Sequence, residues 1–366
     1  TETGEQRDRL YLLLRLGQNA ENTEFYNPRF DFKKDYFDRL SRPTGMRYPV
    51  KLVNEKAGEM QLGTINVVAG FTSHFKSTFA LNTAYLNTLK RGWNGVLFSL
   101  ETPKNEVFYN LISRHSMGNR LLQGRYHAIK SQKIRRLFLS DEEITLADEI
   151  NRDRDEERKG TLFIFDESDL REKSPREFVE RMEEVDDLLG GALHYFIIDY
   201  IQLLKHTEFA ARMTELQAVG QYMETFRGAT QAFRKDTKNE KMLAGIILSQ
   251  IRRDSVADAR DNDGRYSGPD VLSDSSELEK SAHSVVSIYA SEALKANNEA
   301  FIQVLKARSG ETTDIIRVTA DGSTAFIGDP DAATAEAGEG SKLAEEVEEI
   351  VEDLCVDLDD GGFNLL

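Results

Sequence analysis

Residues 64–78 read TINVVAGFTSHFKST, an apolar run, a short loop with a glycine, and then a lysine–hydroxyl pair opening a helix-like stretch. That order is what phosphate binding requires. Backbone N–H groups of the loop wrap a β-phosphate, and the helix that follows points its positive end at it. The lysine then reaches the β/γ oxygens and the next hydroxyl ligates Mg²⁺. Gly70, four residues, Phe75, Lys76 and Ser77 fit G-x-x-x-x-G-K-[ST] except at the second glycine. The backbone there turns closely about phosphate and favours a residue without a side chain. Phe75 therefore either takes up a compatible φ/ψ or perturbs the loop. The candidate nucleotide-binding residues are Gly70, Ser73, Phe75, Lys76, Ser77 and Thr78. The plainer alternative is a chance Gly…Lys-Ser on a surface turn.

Working outward, further short apolar runs at 95–100, 161–165, 195–198 and 243–248 read as strands buried on both faces of a parallel sheet. Helical patterns lie between them at 76–90, 104–114, 175–189 and 214–234. Strand and helix in alternation predict an α/β fold with a doubly wound, mostly parallel sheet. Beyond Ala282 the pattern becomes successive strands, at 284–289, 301–305, 314–318 and 323–327, expected to add antiparallel strands at the C-terminal end.

Three of these strands end in residues suited to nucleotide hydrolysis. YFIIDY (195–200) closes on Asp199, placed to hold Mg²⁺; a helix-capping aspartate is the competing reading. GVLFSLE (95–101) closes on Glu101, suited to polarise an attacking water, or else to cap the helix after Pro103. LSQ (248–250) closes on Gln250, an amide able to sense a γ-phosphate. Beside a phosphate loop, all three converge on one crevice at the carboxyl edge of the sheet.

At this point the chain resembles the motor domain of DnaB-family replicative DNA helicases, over residues 44–329. The resemblance is carried by TFALN (78–82), FSLE (98–101) with a proline two further on, IDYIQLL (198–204), LSQ (248–250), LSDSSELEKSAHSVVSIY (272–289) and KAR (306–308). FSLE together with IDYxQL is specific, whereas the phosphate loop and acidic strand ends would fit any RecA-like P-loop NTPase. The resemblance implies ATP and Mg²⁺ as cofactors, with Lys76 and Ser77 on the phosphates and metal. It implies Glu101 as catalytic base, Asp199 on the metal shell, and Gln250 coupling γ-phosphate state to DNA-binding loops. Lys306 and Arg308 would enter a neighbouring subunit's site as trans-acting fingers; without the resemblance they read as two solvated charges on a strand. Family members are ring hexamers that move 5′→3′ on single-stranded DNA. The region matching a DNA-facing loop, 255–274, carries Arg260 and Arg265 among five aspartates, and Arg252 and Arg253 are alternative backbone contacts.

The flanks divide the chain into 1–43, 44–329 and 330–366. Residues 8–18 (DRLYLLLRLGQ) place apolar side chains densely enough to be read as a short greasy helix, either part of its own core or docked on a neighbour. They supply a linker-type element, and the collar domain of bacterial family members has no counterpart, as in a stripped-down, phage-type form. Neither a primase domain nor a zinc pattern is legible. Residues 331–366 carry twelve acidic side chains and one lysine, which accounts for −11 of the formal net charge of −16. The tail combines a small-residue linker, an acidic amphipathic helix and a terminal Phe363…Leu365-Leu366. It is either a solubilising tail or a hook for a primase, polymerase or loader. One cysteine, Cys355, excludes an internal disulfide, and no apolar run is long enough to span a bilayer. The expected location is the cytoplasm of a bacterial or phage-infected cell. Two functions stand open: a hexameric helicase at a replication fork, or a RecA-like regulatory or scaffold ATPase that assembles without translocating.

Overall fold

The computed structural model describes residues 45–117, 119, 128–273 and 275–329. The greasy stretch at 8–18 and the acidic tail from 330 onward lie outside the described residues.

A small ribbon pairs β1 (Gly45–Met46) with β2 (Met60–Gln61). The main sheet is built from β3 (Ile65–Gly70), β4 (Asn94–Ser99), β5 (Leu162–Asp166), β6 (Leu193–Asp199), β7 (Ala244–Gln250), β8 (Ala282–Tyr289), β9 (Glu299–Ala307), β10 (Ile316–Asp321) and β11 (Phe326–Gly328). Their order across the sheet is β11-β10-β9-β8-β3-β7-β6-β4-β5. The six from β8 to β5 run parallel, and β9, β10 and β11 are antiparallel.

The structure corrects one expectation. The sequence pattern groups β8 with the antiparallel additions, yet it pairs in parallel with β3, Gly70 standing opposite Ile288. The reason lies in the connections. β7 reaches β8 by a crossover carrying helices Arg253–Asp261 and Ser275–Ser281, whereas β8 through β11 follow one another by short links. Crossovers deliver parallel strands and hairpins antiparallel ones.

Both faces of the sheet are covered, which explains the unbroken apolar runs. Along β6, Phe196 and Ile198 point into one core layer while Tyr195 and Ile197 point into the other. The first layer takes Phe178, Met182 and Val185 from helix Pro175–Leu188, and Val219, Met223 and Phe226 from helix Glu215–Gln231. The second takes Phe79, Ala80 and Ala84 from helix Lys76–Tyr85, and Val107 and Leu111 from helix Lys104–Ser116. The helix expected over 76–90 changes to a π-turn at Leu86–Lys90.

Helix Asp141–Glu157 has no counterpart among the expected helices. It buries only Leu146 and Ile150 of its apolar side chains, too sparse a stripe to read by periodicity. Its capping box is the available signal: Ser140 accepts from the Glu143 N–H and Glu143 accepts from the Ser140 N–H.

Candidate functional site

The carboxyl ends of β3, β7, β6 and β4 lie side by side, so the loops leaving them share one edge of the sheet. Register fixes the spacing: Gly70 stands opposite Gln250, and Ser99 opposite Asp199. Between these ends is a cleft of about 350 Å³, lined by Thr72, Ser73, Phe75, Lys76, Ser77, Thr78, Glu101, Thr102 and Gln250. A larger hollow of about 570 Å³, between helix Glu215–Gln231 and Glu277, contains none of the predicted site residues.

The phosphate loop forms as its sequence requires. A turn closes with the His74 N–H on the Phe71 carbonyl at 3.1 Å, and helix Lys76–Tyr85 starts behind it. Gly70 is needed for lysine access, because a Cβ there would sit 2.8 Å from Lys76 Cγ. Phe75 resolves its own conflict. Its backbone is left-handed, with φ 61° and ψ 18°, the conformation a glycine would supply. Holding a non-glycine residue there costs on the order of 1–3 kcal/mol. The ring offsets this by packing against the second core layer and over the β10–β11 turn, where a Cβ on Gly322 would approach Phe75 Cε1 to 3.3 Å. Ser73 is left-handed too, with φ 62°.

Lys76 is buried, and its Nζ donates to the Phe71 carbonyl at 3.3 Å and lies 5.6 Å from the Tyr200 ring centre. Burial pushes its pKa below the ordinary lysine value, opposed by the nearby Asp199 and Glu101 carboxylates. His74 ties the loop to the end of β8. Its ring lies beside the Ile288 backbone and packs edge-on against Phe71 and Tyr289. Burial first, and then Lys295, pushes its pKa down to about 4, so the ring is neutral at neutral pH.

Asp199 is buried beside Ser77. Burial pushes its pKa up to about 6, against the pull of Ser77 and Lys76. Its Oδ1 has no hydrogen-bond partner among the described residues. A buried carboxylate oxygen without a partner, beside a serine hydroxyl, is a hard oxygen donor set of the kind Mg²⁺ takes. The capping reading of Asp199 fails, since the turn that follows is capped by Tyr200 without a side-chain bond. The strand-end aspartate that does cap is Asp166 of β5, which accepts from Lys104 N–H at 3.0 Å. Glu101 is likewise not a cap. Pro103 occupies that position, and the Glu101 side chain is exposed at the mouth of the cleft.

The raised pKa has a stability consequence. A carboxyl that holds its proton to about pH 6 when folded, but only to about 3.8 when unfolded, stabilises the ligand-free fold at low pH. That contribution is lost as pH rises from about 4 through 6. Asp199→Asn should therefore stabilise the ligand-free chain at pH 7.5 by roughly 1–3 kcal/mol, with about half that gain at pH 5. Thermal melts of both proteins at the two pH values check this, and equal shifts at both would contradict it.

Not every predicted residue reaches the cleft. Lys306 pairs with Val285 on β8, nearer the start of that strand than Ile288, which faces the phosphate loop. Lys306 Nζ donates to the Glu279 carbonyl and Arg308 Nη2 to the Lys280 carbonyl, both at the end of helix Ser275–Ser281. The segment matched to a DNA-facing loop at 255–274 is partly packed among its described residues. Residues Arg253–Asp261 are helical, and Val256, Ala259, Tyr266, Val271 and Leu272 are buried in the first core layer. Arg265 is paired with Asp314 at 2.8 Å. Arg252, Arg253 and Arg260 are exposed.

Gln202 lies within IDYIQLL, where sequence reasoning gives it no role. It is buried, donates to Ser249 Oγ at 2.9 Å and accepts from the Gln250 N–H at 3.1 Å. A signal exists: a polar residue inside an apolar turn directly after a strand-end aspartate.

Comparison with known proteins agrees with this geometry. Residues 45–327 match the family model for the DnaB-like helicase C terminal domain. A DnaB-like replicative helicase, described with its interactions with primase, is similar at TM-score 0.63 and 19% identity, over 81% of this chain and 64% of that one. A second solved structure, of an ATPase domain, is similar at TM-score 0.63 and 19% identity, over 81% of this chain and 95% of that one. No curated protein sequence matches. At that identity the structural likeness establishes the RecA-like fold, and the family match extends over most of the chain. The chain belongs to the DnaB-like helicase family.

Proposed function

We propose that this chain is the motor of an ATP-driven ring helicase, translocating 5′→3′ on single-stranded DNA and unwinding duplex at a replication fork. The observation that carries the reading is the convergence of Lys76, Ser77, Glu101 and Gln250 on one cleft, with Asp199 buried beside Ser77. In this scheme Lys76 would hold the phosphates of ATP, and Ser77 with Asp199 would hold Mg²⁺, whose chemistry when bound is to screen charge on the transferred phosphoryl. Glu101 orients and deprotonates the attacking water, and Gln250 reports the γ-phosphate to the 252–271 segment. Lys306 and Arg308 complete the site of an adjacent subunit in a hexamer. Arg252, Arg253 and Arg260 supply exposed charge for the DNA backbone; Arg265 is engaged by Asp314 and contributes less. The division into a docking segment at 1–43, a motor at 44–329 and a partner-binding tail at 330–366 belongs to the same proposal, with a primase, polymerase or loader as the tail's partner. The location is the cytoplasm, and among the described residues no helix is long and apolar enough to cross a membrane.

The alternative, a scaffold ATPase that assembles without translocating, draws its support from Phe75 and from the acidic 255–274 segment. Phe75 takes the left-handed conformation a glycine would supply, which removes the first of those supports. The test is ATP hydrolysis by the full chain with and without single-stranded DNA, beside Lys76→Ala. DNA-stimulated hydrolysis absent from the variant supports the motor; equal background rates in both would end it.

A further inference from the structure

β6 and β7 run side by side only as far as Ile198 opposite Ile247. Beyond that point β6 turns away into the 3-10 turn Ile201–His206, while β7 continues to Gln250 along β3. The flank of β7 that faced β6 is thereby left without a strand. Gln202 fills the gap: its Oε1 accepts from the Gln250 N–H at 3.1 Å, and its Nε2 donates to Ser249 Oγ at 2.9 Å. A side-chain amide is the group that reproduces a missing peptide, because it donates and accepts in one plane.

The same amide reaches across the root of the next segment. Residues 252–271 leave the sheet and return, and the root is closed by the Ser273 N–H on the Gln250 carbonyl at 3.0 Å and the Arg252 N–H on the Val271 carbonyl at 3.0 Å. Gln202 Nε2 also lies 3.4 Å from the Ser273 carbonyl. One buried side chain, three residues after Asp199, therefore touches the strand end bearing Gln250 and the returning chain at Ser273 that closes the excursion. That excursion carries Arg252, Arg253 and Arg260.

We infer that Gln202 is a positioning residue which fixes the Gln250 strand end against the Asp199 strand end and clasps the root of the 252–271 excursion. Displacement of Gln250 by a γ-phosphate then moves the excursion as a unit. This rests on the functional reading above for its catalytic consequence, but not for its geometry. No other residue type of this size serves. Glutamate accepts without donating, methionine keeps the shape and does neither, and asparagine is one methylene short.

The test uses the full chain with Gln202→Met and Gln202→Glu, read by amide hydrogen exchange and by steady-state kinetics. In both variants, exchange across 249–273 should quicken about tenfold while β3 and helix Lys76–Tyr85 stay as in the wild type. With single-stranded DNA, kcat should fall about tenfold with KM for ATP changed by no more than about twofold. Placed on Gln250→Ala, Gln202→Met should lower kcat no further, because the two residues act through one step. Unchanged exchange across 249–273 would overturn the proposal, as would an equal loss of kcat in the Gln250→Ala background. If wild type hydrolyses no more ATP than Lys76→Ala, the motor reading falls, and the exchange result still decides the role of Gln202.

Discussion

Glu101→Gln is expected to lower DNA-stimulated ATP hydrolysis by about 10²–10⁴-fold, the span ascribed to a positioned general base, while leaving Mg²⁺–nucleotide affinity nearly intact. Glu101 stands at the end of β4, where the Leu100 N–H bonds the Asp199 carbonyl at 2.8 Å and holds the two strand ends together. Its carboxylate is exposed to the cleft, free of any capping duty, and close enough to be felt electrostatically by both Lys76 and Asp199. Glutamine retains the shape and removes only the ability to take a proton. It also removes a negative charge near buried Asp199, so metal and nucleotide binding have no reason to weaken. Steady-state hydrolysis together with titration of a fluorescent nucleotide measures both sides. A kcat within about twofold of wild type, or a parallel loss of binding, would contradict the assignment.

Arg308→Ala is expected to produce a loss of comparable size, about 10³-fold, the low end for a trans-acting arginine, and one that a second variant can repair. Lys306 is opposite Val285 and Gly70 is opposite Ile288, a difference of three residues along β8, or about 10 Å. β9 lies two strand spacings from β3, about another 10 Å. Arg308 lies further still from the loop, past the end of β9, so it cannot serve its own Lys76. Its present partner is a main-chain carbonyl, Lys280, at an exposed position, a contact readily exchanged for a phosphate oxygen. Arg308→Ala subunits keep an intact phosphate loop, and Lys76→Ala subunits keep an intact finger. Mixing the two inactive proteins should restore hydrolysis, through interfaces that combine the good half of each. A mixture no more active than its separate components would exclude a shared site.

Much of this site is legible in the sequence because its parts are local. A strand that is apolar throughout and then ends in Asp, Glu or Gln announces both its burial and its useful residue, which is how Glu101, Asp199 and Gln250 can be named beside Lys76. What escapes is non-local or compensated. Arg265 looks like a free cation until Asp314, forty-nine residues on, is found holding it. Phe75 breaks the loop pattern, and only the surrounding fold, with Gly322 making room for the ring, shows why the backbone still turns. The 255–274 segment looks polar and loop-like because its buried side chains, Val256, Ala259, Tyr266 and Leu272, are spread thinly among charges. Gln202 acts through contacts to residues 47 and 48 positions away, which no periodicity reveals.

A motor of this kind drives directed movement along a strand. Strand displacement from a forked DNA measures this directly, using one duplex with a free 5′ tail and one with only a 3′ tail, each with ATP and Mg²⁺. Displacement is expected from the 5′-tailed fork by the wild-type chain, none from the 3′-tailed fork, and none from either by Lys76→Ala. Nucleotide binding and hydrolysis without displacement from the 5′-tailed fork would contradict the motor reading.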